Sequence, residues 1–150
     1  MINTSNLEQT KNLIKKLLEN KEKPIIVKAQ NQEFNRKILE YGNFDILLSI
    51  ESTAQKGDSP RNMDSGFNHV LAKIAAKNNI ALGIDLKEIQ SLEKKQKAKR
   101  LSKVIRNIKI CRKAKTQIKL INIGDKRNAF SFLISLGAST QQAKESLINL

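Results

Sequence analysis

The chain has 150 residues, of which 28 are lysine or arginine and 14 are aspartate or glutamate, so its formal net charge is +14. A hydrophobic content of 39% suffices for a folded core. One cysteine and one histidine, Cys111 and His69, exclude an internal disulfide, a cysteine-based zinc site and a metal centre that needs several imidazoles. Because no apolar run reaches membrane-spanning length and residues 1–6 lack a secretory pattern, we expect a soluble, intracellular protein.

Short β-branched runs alternate along the chain with segments of helical periodicity. In chain order, the patterns predict a helix over 6–20, a strand over 25–29, a helix over 31–41, a strand over 44–50, a long polar loop over 51–65, a helix over 66–78, a strand over 80–85, a helical region with a break over 86–115, a strand over 117–122, a helix over 127–136 and a helix over 140–150. Four hydrophobic strands separated by helices indicate an α/β protein built from parallel βα units.

No linker divides the chain, so we predict a single domain over 1–150. Within it, residues 1–23 form an N-terminal helical cover, 24–137 form the βα core, and 138–150 form a C-terminal helix. An open parallel sheet exposes its edges, and the first helix is the predicted cover for one of them.

The positive charge is concentrated in one segment. From Lys94 to Gly124 the chain has 12 basic residues and no acidic one, which leaves 16 basic and 14 acidic residues in all the rest. A concentrated excess of this kind is typical of a face that binds a polyanion.

On a helix, this segment has an apolar face around Val104, Ile108 and Cys111 and an opposite basic face. Lysines four apart repel each other by about 0.2–0.5 kcal/mol per pair, which favours phosphate binding over a merely solvated surface. The basic residues predicted to contact RNA are Lys95, Lys99, Lys103, Arg106, Lys109, Arg112 and Lys113. Aromatic residues make up only 4% of the chain, so recognition of backbone and shape is favoured over base stacking.

Parallel βα folds place their sites at the carboxyl ends of the strands, where this chain has Lys28, Glu51, Asp85 and Asp125. The three carboxylates could bind Mg²⁺, which would make the chain a small metal-dependent phosphoesterase. The alternative is that Asp85 and Asp125 cap the helices that follow them. Neither a dinucleotide fingerprint nor a phosphate-binding loop is present in the sequence.

The segment 63–86, with Asn68-His69-Val70-Leu71-Ala72 at its centre, resembles the ribonuclease P protein component 3 family. Asn35-Arg36, the strand at Phe44-Asp45-Ile46-Leu47 and the basic helix over 101–113 are also similar to that family. The resemblance extends from about Ile25 to Leu136.

The resemblance implies a TIM barrel related to the polymerase-and-histidinol-phosphatase (PHP) type. A closed barrel usually needs about 250 residues, so four strands imply an incomplete or open one. The family implies a non-catalytic subunit of an endoribonuclease, whose RNA removes the 5′ leader of precursor tRNA and uses Mg²⁺, with no cofactor bound to the protein itself. The implied partners are the ribonuclease P RNA, protein component 2, other ribonuclease P proteins and precursor tRNA, in the cytoplasm for an archaeal-type subunit.

The resemblance also implies a polar surface for RNA or a partner protein. The residues predicted for that surface are Arg36, Arg61, Asp64, Ser65, Asn68, His69 and Arg127.

Overall fold

The computed structural model of the protein describes residues 1–53 and 64–147. Four strands of that part form one parallel sheet, and their order in the sheet is their order in the chain. The strands are β1 Ile26–Lys28, β2 Ile46–Leu48, β3 Ala81–Asp85 and β4 Ile118–Ile121. The predicted α/β class and the parallel pairing are therefore confirmed.

Helices connect the strands, and most of them begin where a polar side chain caps the first turn. The helices of the described residues are α1 Leu7–Glu19, α2 Gln32–Tyr41, α3 His69–Lys77, α4 Leu86–Ser91, α5 Lys94–Ala114, α6 Lys126–Ser135 and α7 Thr140–Ser146. Asn6, Asn31 and Ser139 each accept a hydrogen bond from a backbone amide of the helix that follows. The predicted break between the two helices of 86–115 is confirmed, since α4 ends at Ser91.

The main core lies between the sheet and its helices. Val27, Leu47 and Leu82 belong to one apolar cluster together with Ile14 of α1 and Ile38 of α2. Side chains alternate along each strand, so their neighbours point to the opposite face of the sheet. Ile46, Leu48 and Ala81 on that second face are also buried.

The second face of the sheet is packed closely around Gly83 of β3. A Cβ at Gly83 would lie 2.5 Å from Cγ2 of Ile46 and 3.0 Å from Cδ1 of Leu48, both on β2. Only glycine, which has no side chain, fits at this position of β3 against the two side chains of β2.

The edge of the sheet at β1 is covered by the backbone of Ile2. The Ile2 amide donates to Ile26 O at 2.7 Å, and the Lys28 amide donates to Ile2 O at 2.9 Å, which forms a parallel bridge with Val27. The prediction that the first helix covers this edge is therefore wrong in its detail. Helix α1 instead packs against α2, with Ile14 fully buried.

The polar stretch predicted as a loop over 51–65 begins with a short 3₁₀ turn, Ile50–Ser52, and most of the stretch lies outside the described residues.

Among the helices that the structure describes, none is both long and apolar enough to cross a lipid bilayer.

Candidate nucleic-acid interface

Helix α5 presents a line of exposed basic side chains along its outer side. It has 21 residues, and its inner side is buried at Val104, Ile108 and Cys111. The α5 ridge is defined here as five exposed basic residues along this side of the helix, Lys95, Lys99, Arg106, Lys109 and Lys113. From Lys95 to Lys113 the ridge extends about 27 Å at the rise of an α-helix. All five residues are exposed, as the helical periodicity predicted for Lys95, Lys99, Arg106 and Lys113.

Lys103 does not belong to the ridge, and its predicted place on the exposed face is wrong. Its exposure is only 7%, and Asn107 one turn later is buried to 1%. The reason is that α5 is covered from two directions, by α3 and by the 3₁₀ turn Ile50–Ser52. The buried arc of the helix is therefore wider than its apolar residues alone indicate.

Arg112 is exposed but engaged within the protein. Its Nε donates to Oε1 of Gln142 at 3.2 Å, and its Nη2 donates to the carbonyl oxygen of Gly137. Arg112 therefore connects the end of α5 to the start of α7. This contact within the protein differs from the RNA contact that the sequence predicted for Arg112.

A cluster of charged side chains lies at the carboxyl ends of the strands. Nη1 of Arg100 lies 3.2 Å from Oε1 of Glu88 and 3.6 Å from Oε1 of Glu51. Nζ of Lys28 lies 3.4 Å from Oε2 of Glu88, and Ser49 Oγ donates to the same oxygen at 3.1 Å. Two cations and two carboxylates thus offset one another. Arg100 connects α5 to α4 and to the 3₁₀ turn Ile50–Ser52, and this role was missed because residues 51, 88 and 100 are distant in the sequence.

Burial dominates the ionisation of Glu51. Both carboxylate oxygens are inaccessible and have no hydrogen-bond donor within range in the described part of the chain. Loss of water raises the pKa of Glu51 to about 7, and the attraction of Arg100 only partly opposes this rise. The Glu51 carboxyl is therefore about half protonated near neutral pH.

The two remaining strand-end carboxylates act as helix caps. Oδ1 of Asp85 accepts from the Glu88 amide at 3.1 Å and Oδ2 accepts from Asn122 Nδ2 at 2.9 Å. Oδ1 of Asp125 accepts from the Asn128 amide at 2.8 Å. Among residues 1–53 and 64–147, no three carboxylate, cysteine or histidine side chains are placed to hold one metal ion. The capping alternative is confirmed, and the phosphoesterase alternative has no assembled site in this part of the chain.

The Asn-His signature lies at the start of α3, beside the ridge. Oδ1 of Asn68 accepts from the amides of Val70 and Leu71 at 3.0 Å each, so Asn68 caps the helix. His69 is exposed, as predicted. Val70, an apolar residue of the same turn, is 49% exposed.

The turn before α3 differs from the predicted polar surface. Asp64 is exposed and its Oδ1 accepts from the Gly66 amide at 2.8 Å. Ser65 is 1% exposed and donates to Phe67 O at 3.1 Å, so its prediction as a surface residue is wrong. Gly66 has φ +74, and a Cβ there would lie 2.7 Å from Ile50 O, so the turn packs onto the 3₁₀ turn and buries Ser65 with it. Arg61 lies outside the described residues.

A groove of about 470 Å³ separates the start of α3 from the second half of α5. Its walls carry His69 and Lys73 from α3 and Arg106 and Lys113 from α5. No aspartate or glutamate is among the described residues that line it. The structure therefore brings together two sets of residues that the sequence suggested separately, the signature and the basic helix.

Two predicted surface arginines lie elsewhere. Arg36 is exposed on α2, and its Nε donates to Glu40 Oε1 at 3.0 Å. Arg127 is exposed in the first turn of α6. Asn35, beside Arg36, is buried and exchanges hydrogen bonds with the backbone of Gln30 at 2.8 and 3.2 Å. Neither arginine lines the groove.

Fold and surface together define a parallel α/β protein with one strongly cationic helical face. The chain is 27% identical over 117 residues to Ribonuclease P protein component 3 of Methanococcus maripaludis strain C6, and 26% identical to that of strain C7. Each alignment covers 78% of this chain and 47% of the relative, so the chain spans about half the length of the curated relatives it matches. The predicted resemblance to this family is confirmed. No family model matches the chain.

A solved structure shares the fold. A chain in the cryo-EM structure of archaeal Ribonuclease P with mature tRNA superimposes with a TM-score of 0.77 and 24% sequence identity. The match covers 97% of this chain and 62% of that one.

Proposed function

We propose that this chain is an RNA-binding protein subunit of ribonuclease P that supports the catalytic RNA in removing the 5′ leader of precursor tRNA. The observation that carries the proposal is the α5 ridge, whose basic side chains point outward over about 27 Å. The curated relatives of the chain carry the name of such a subunit, and this name favours RNA over other polyanions as the ligand.

The chemistry of the ridge suits contact with RNA phosphates. Each lysine or arginine that pairs with a phosphate releases condensed counterions, so the affinity falls steeply as salt increases. Helix α5, all of whose residues the structure describes, has no aromatic side chain on which a base could stack. Recognition would therefore depend on the position of phosphates in a folded RNA rather than on base identity.

The protein in this proposal positions RNA and does not cleave it. Mg²⁺ would be held by the RNA subunit, because the strand-end carboxylates are engaged as caps or with Arg100. The proposed partners are the ribonuclease P RNA, protein component 2, other ribonuclease P proteins and precursor tRNA, and the proposed location is the cytoplasm.

We also infer that the sheet is one arc of a TIM-like barrel of the PHP type. Support comes from the parallel strands, which follow each other in the sheet as they do in the chain, and from the close superposition on a longer chain. The inner side of such an arc would be the face that holds Ile46, Leu48 and Ala81.

Reconstitution tests the function. The chain is mixed with the RNA and the other protein subunits, and cleavage of precursor tRNA is measured at low Mg²⁺ with and without it. We expect a higher rate when the chain is present, and an unchanged rate would refute the proposal. The double variant Lys99→Glu/Lys109→Glu should lose most of this stimulation. The matched control Lys15→Glu/Lys16→Glu, which makes the same charge change on exposed residues of α1, should retain it.

A further inference from the structure

The groove between α3 and α5 is a concave surface beside the convex α5 ridge. Its walls come from two different helices, and its floor is formed in part by Phe67 and Ile110. Phe67 is 4% exposed and Ile110 is half-buried, so the floor is apolar and fixed by the core. The groove is therefore a built feature of the fold.

The charge of the groove selects an anionic ligand. His69 and Lys73 face Arg106 and Lys113 across it, and none of the described lining residues is acidic. The amides of Val70 and Leu71 already donate to Asn68 Oδ1, so an anion in the groove would meet side chains rather than these amides. An apolar floor between cationic walls matches a sugar–phosphate backbone, whose phosphates are charged and whose sugars present C–H groups.

The narrow width of the groove favours a single RNA strand over a duplex. Packed helices have axes about 8–10 Å apart, so the space between their side chains is narrower than a double helix. A duplex can contact the ridge, which projects outward, but cannot enter the groove. One extended strand can place a phosphate between the two walls.

We propose that the groove between α3 and α5 binds the backbone of one unpaired RNA strand, next to a duplex held on the ridge. This inference rests on the proposed function, since it takes RNA as the ligand. It assigns to the chain a preference for RNA in which a helix is continued by a single strand. Lys73 distinguishes the two surfaces, because it is the lysine of α3 that lines the groove, whereas the ridge belongs to α5.

The test compares two RNA hairpins that differ only in a single-stranded uridine tail. The full chain should bind the tailed hairpin more tightly than the blunt one. Lys73→Gln should weaken binding of the tailed hairpin by about three- to tenfold, lower its salt slope by about 0.7, and leave the blunt hairpin unaffected. Lys77→Gln removes the same charge from an exposed position of the same helix outside the groove, and should leave both affinities within about twofold.

Equal effects of Lys73→Gln and Lys77→Gln on the tailed hairpin would overturn the inference, because the charge would then act only at long range. Failure of Lys73→Gln to alter any RNA affinity, combined with weaker assembly with the other protein subunits, would also overturn it and assign the groove to an acidic protein. Both results leave the proposed function intact if Lys99→Glu/Lys109→Glu still weakens RNA binding. If Lys99→Glu/Lys109→Glu bound RNA normally, both the inference and the proposed function would be refuted.

Discussion

Nη1 of Arg100 lies 3.6 Å from Oε1 of Glu51, so a basic residue of α5 points into the protein while its neighbours on the ridge point out. The Arg100 side chain is 13% exposed and that of Glu51 is 1% exposed. The high charge of α5 thus serves two purposes, one internal and one external, and the structure separates them residue by residue.

The first prediction concerns this separation. Arg100→Gln should lower the free energy of unfolding by roughly 1–3 kcal/mol, because Glu51 and Glu88 lose the cation that they share and Glu51 must bind a proton in its place. Urea unfolding measures this change, with Lys109→Gln as the control on the same helix. That exposed substitution should alter stability by no more than about 0.5 kcal/mol. Equal stability of the two variants would contradict the anchoring role of Arg100.

The second prediction concerns pH and Glu51. Burial raises the pKa of this carboxyl from 4.5 to about 7, so the folded protein binds the proton more tightly than the unfolded chain does. The stabilisation from this carboxyl is complete below pH 4.5 and is lost as the pH rises through 7. Over that window the wild type should lose about 3 kcal/mol relative to Glu51→Gln, which does not titrate. Urea unfolding measures the free energy of unfolding of both proteins between pH 4.5 and about 7. A constant difference between the two free energies over this range would contradict the prediction.

The third prediction concerns Gly83. Alanine at this position places a methyl group 2.5 Å from Cγ2 of Ile46, a β-branched side chain that has little freedom to move. The free energy of unfolding should fall by about 1–3 kcal/mol, as in overpacked cores. Gly124→Ala is the matched control, since no atom lies within 4 Å of its Cβ, and it should leave the urea midpoint nearly unchanged. Similar midpoints for both variants would show that the strands separate easily.

A fourth prediction concerns Asn107 of α5. Its side chain is 1% exposed, and neither its Oδ1 nor its Nδ2 has a hydrogen-bond partner in the described residues. Asn107→Leu keeps the branched shape and the number of side-chain heavy atoms and removes the buried polar group, so it should stabilise the fold by about 1 kcal/mol. Thermal unfolding should then shift upward by about 2–4 °C. A lower melting temperature would indicate that the carboxamide is satisfied in solution.

Much of the fold could be predicted because each element has a local signal. Isoleucine, leucine, valine and alanine dominate the four strands, and the caps Asn6, Asn31, Asp85 and Asp125 stand directly before their helices. The burial of Lys103 and Ser65 had no such signal. It depends on the 3₁₀ turn Ile50–Ser52, which meets both α5 and Gly66 from a distant part of the chain.

The candidate site was predictable in its composition but not in its arrangement. Helical periodicity placed Lys95, Lys99 and Lys113 on the outer side of α5 correctly. The groove depends on how α3 packs beside α5, and a single sequence contains no information on that contact. Lys73 was for this reason absent from the predicted site residues, although it lines the groove.

The order of the strands bears on how the chain folds during synthesis. Leu47 of β2 pairs with Val27 of β1 on one side and with Leu82 of β3 on the other, so each strand meets the strand before it and the strand after it. Parallel pairing requires loop closure, and neighbours in sequence close the shortest loops that a parallel sheet permits. Each strand that leaves the ribosome therefore finds its template already formed by the preceding one, and the sheet can grow in the direction of translation.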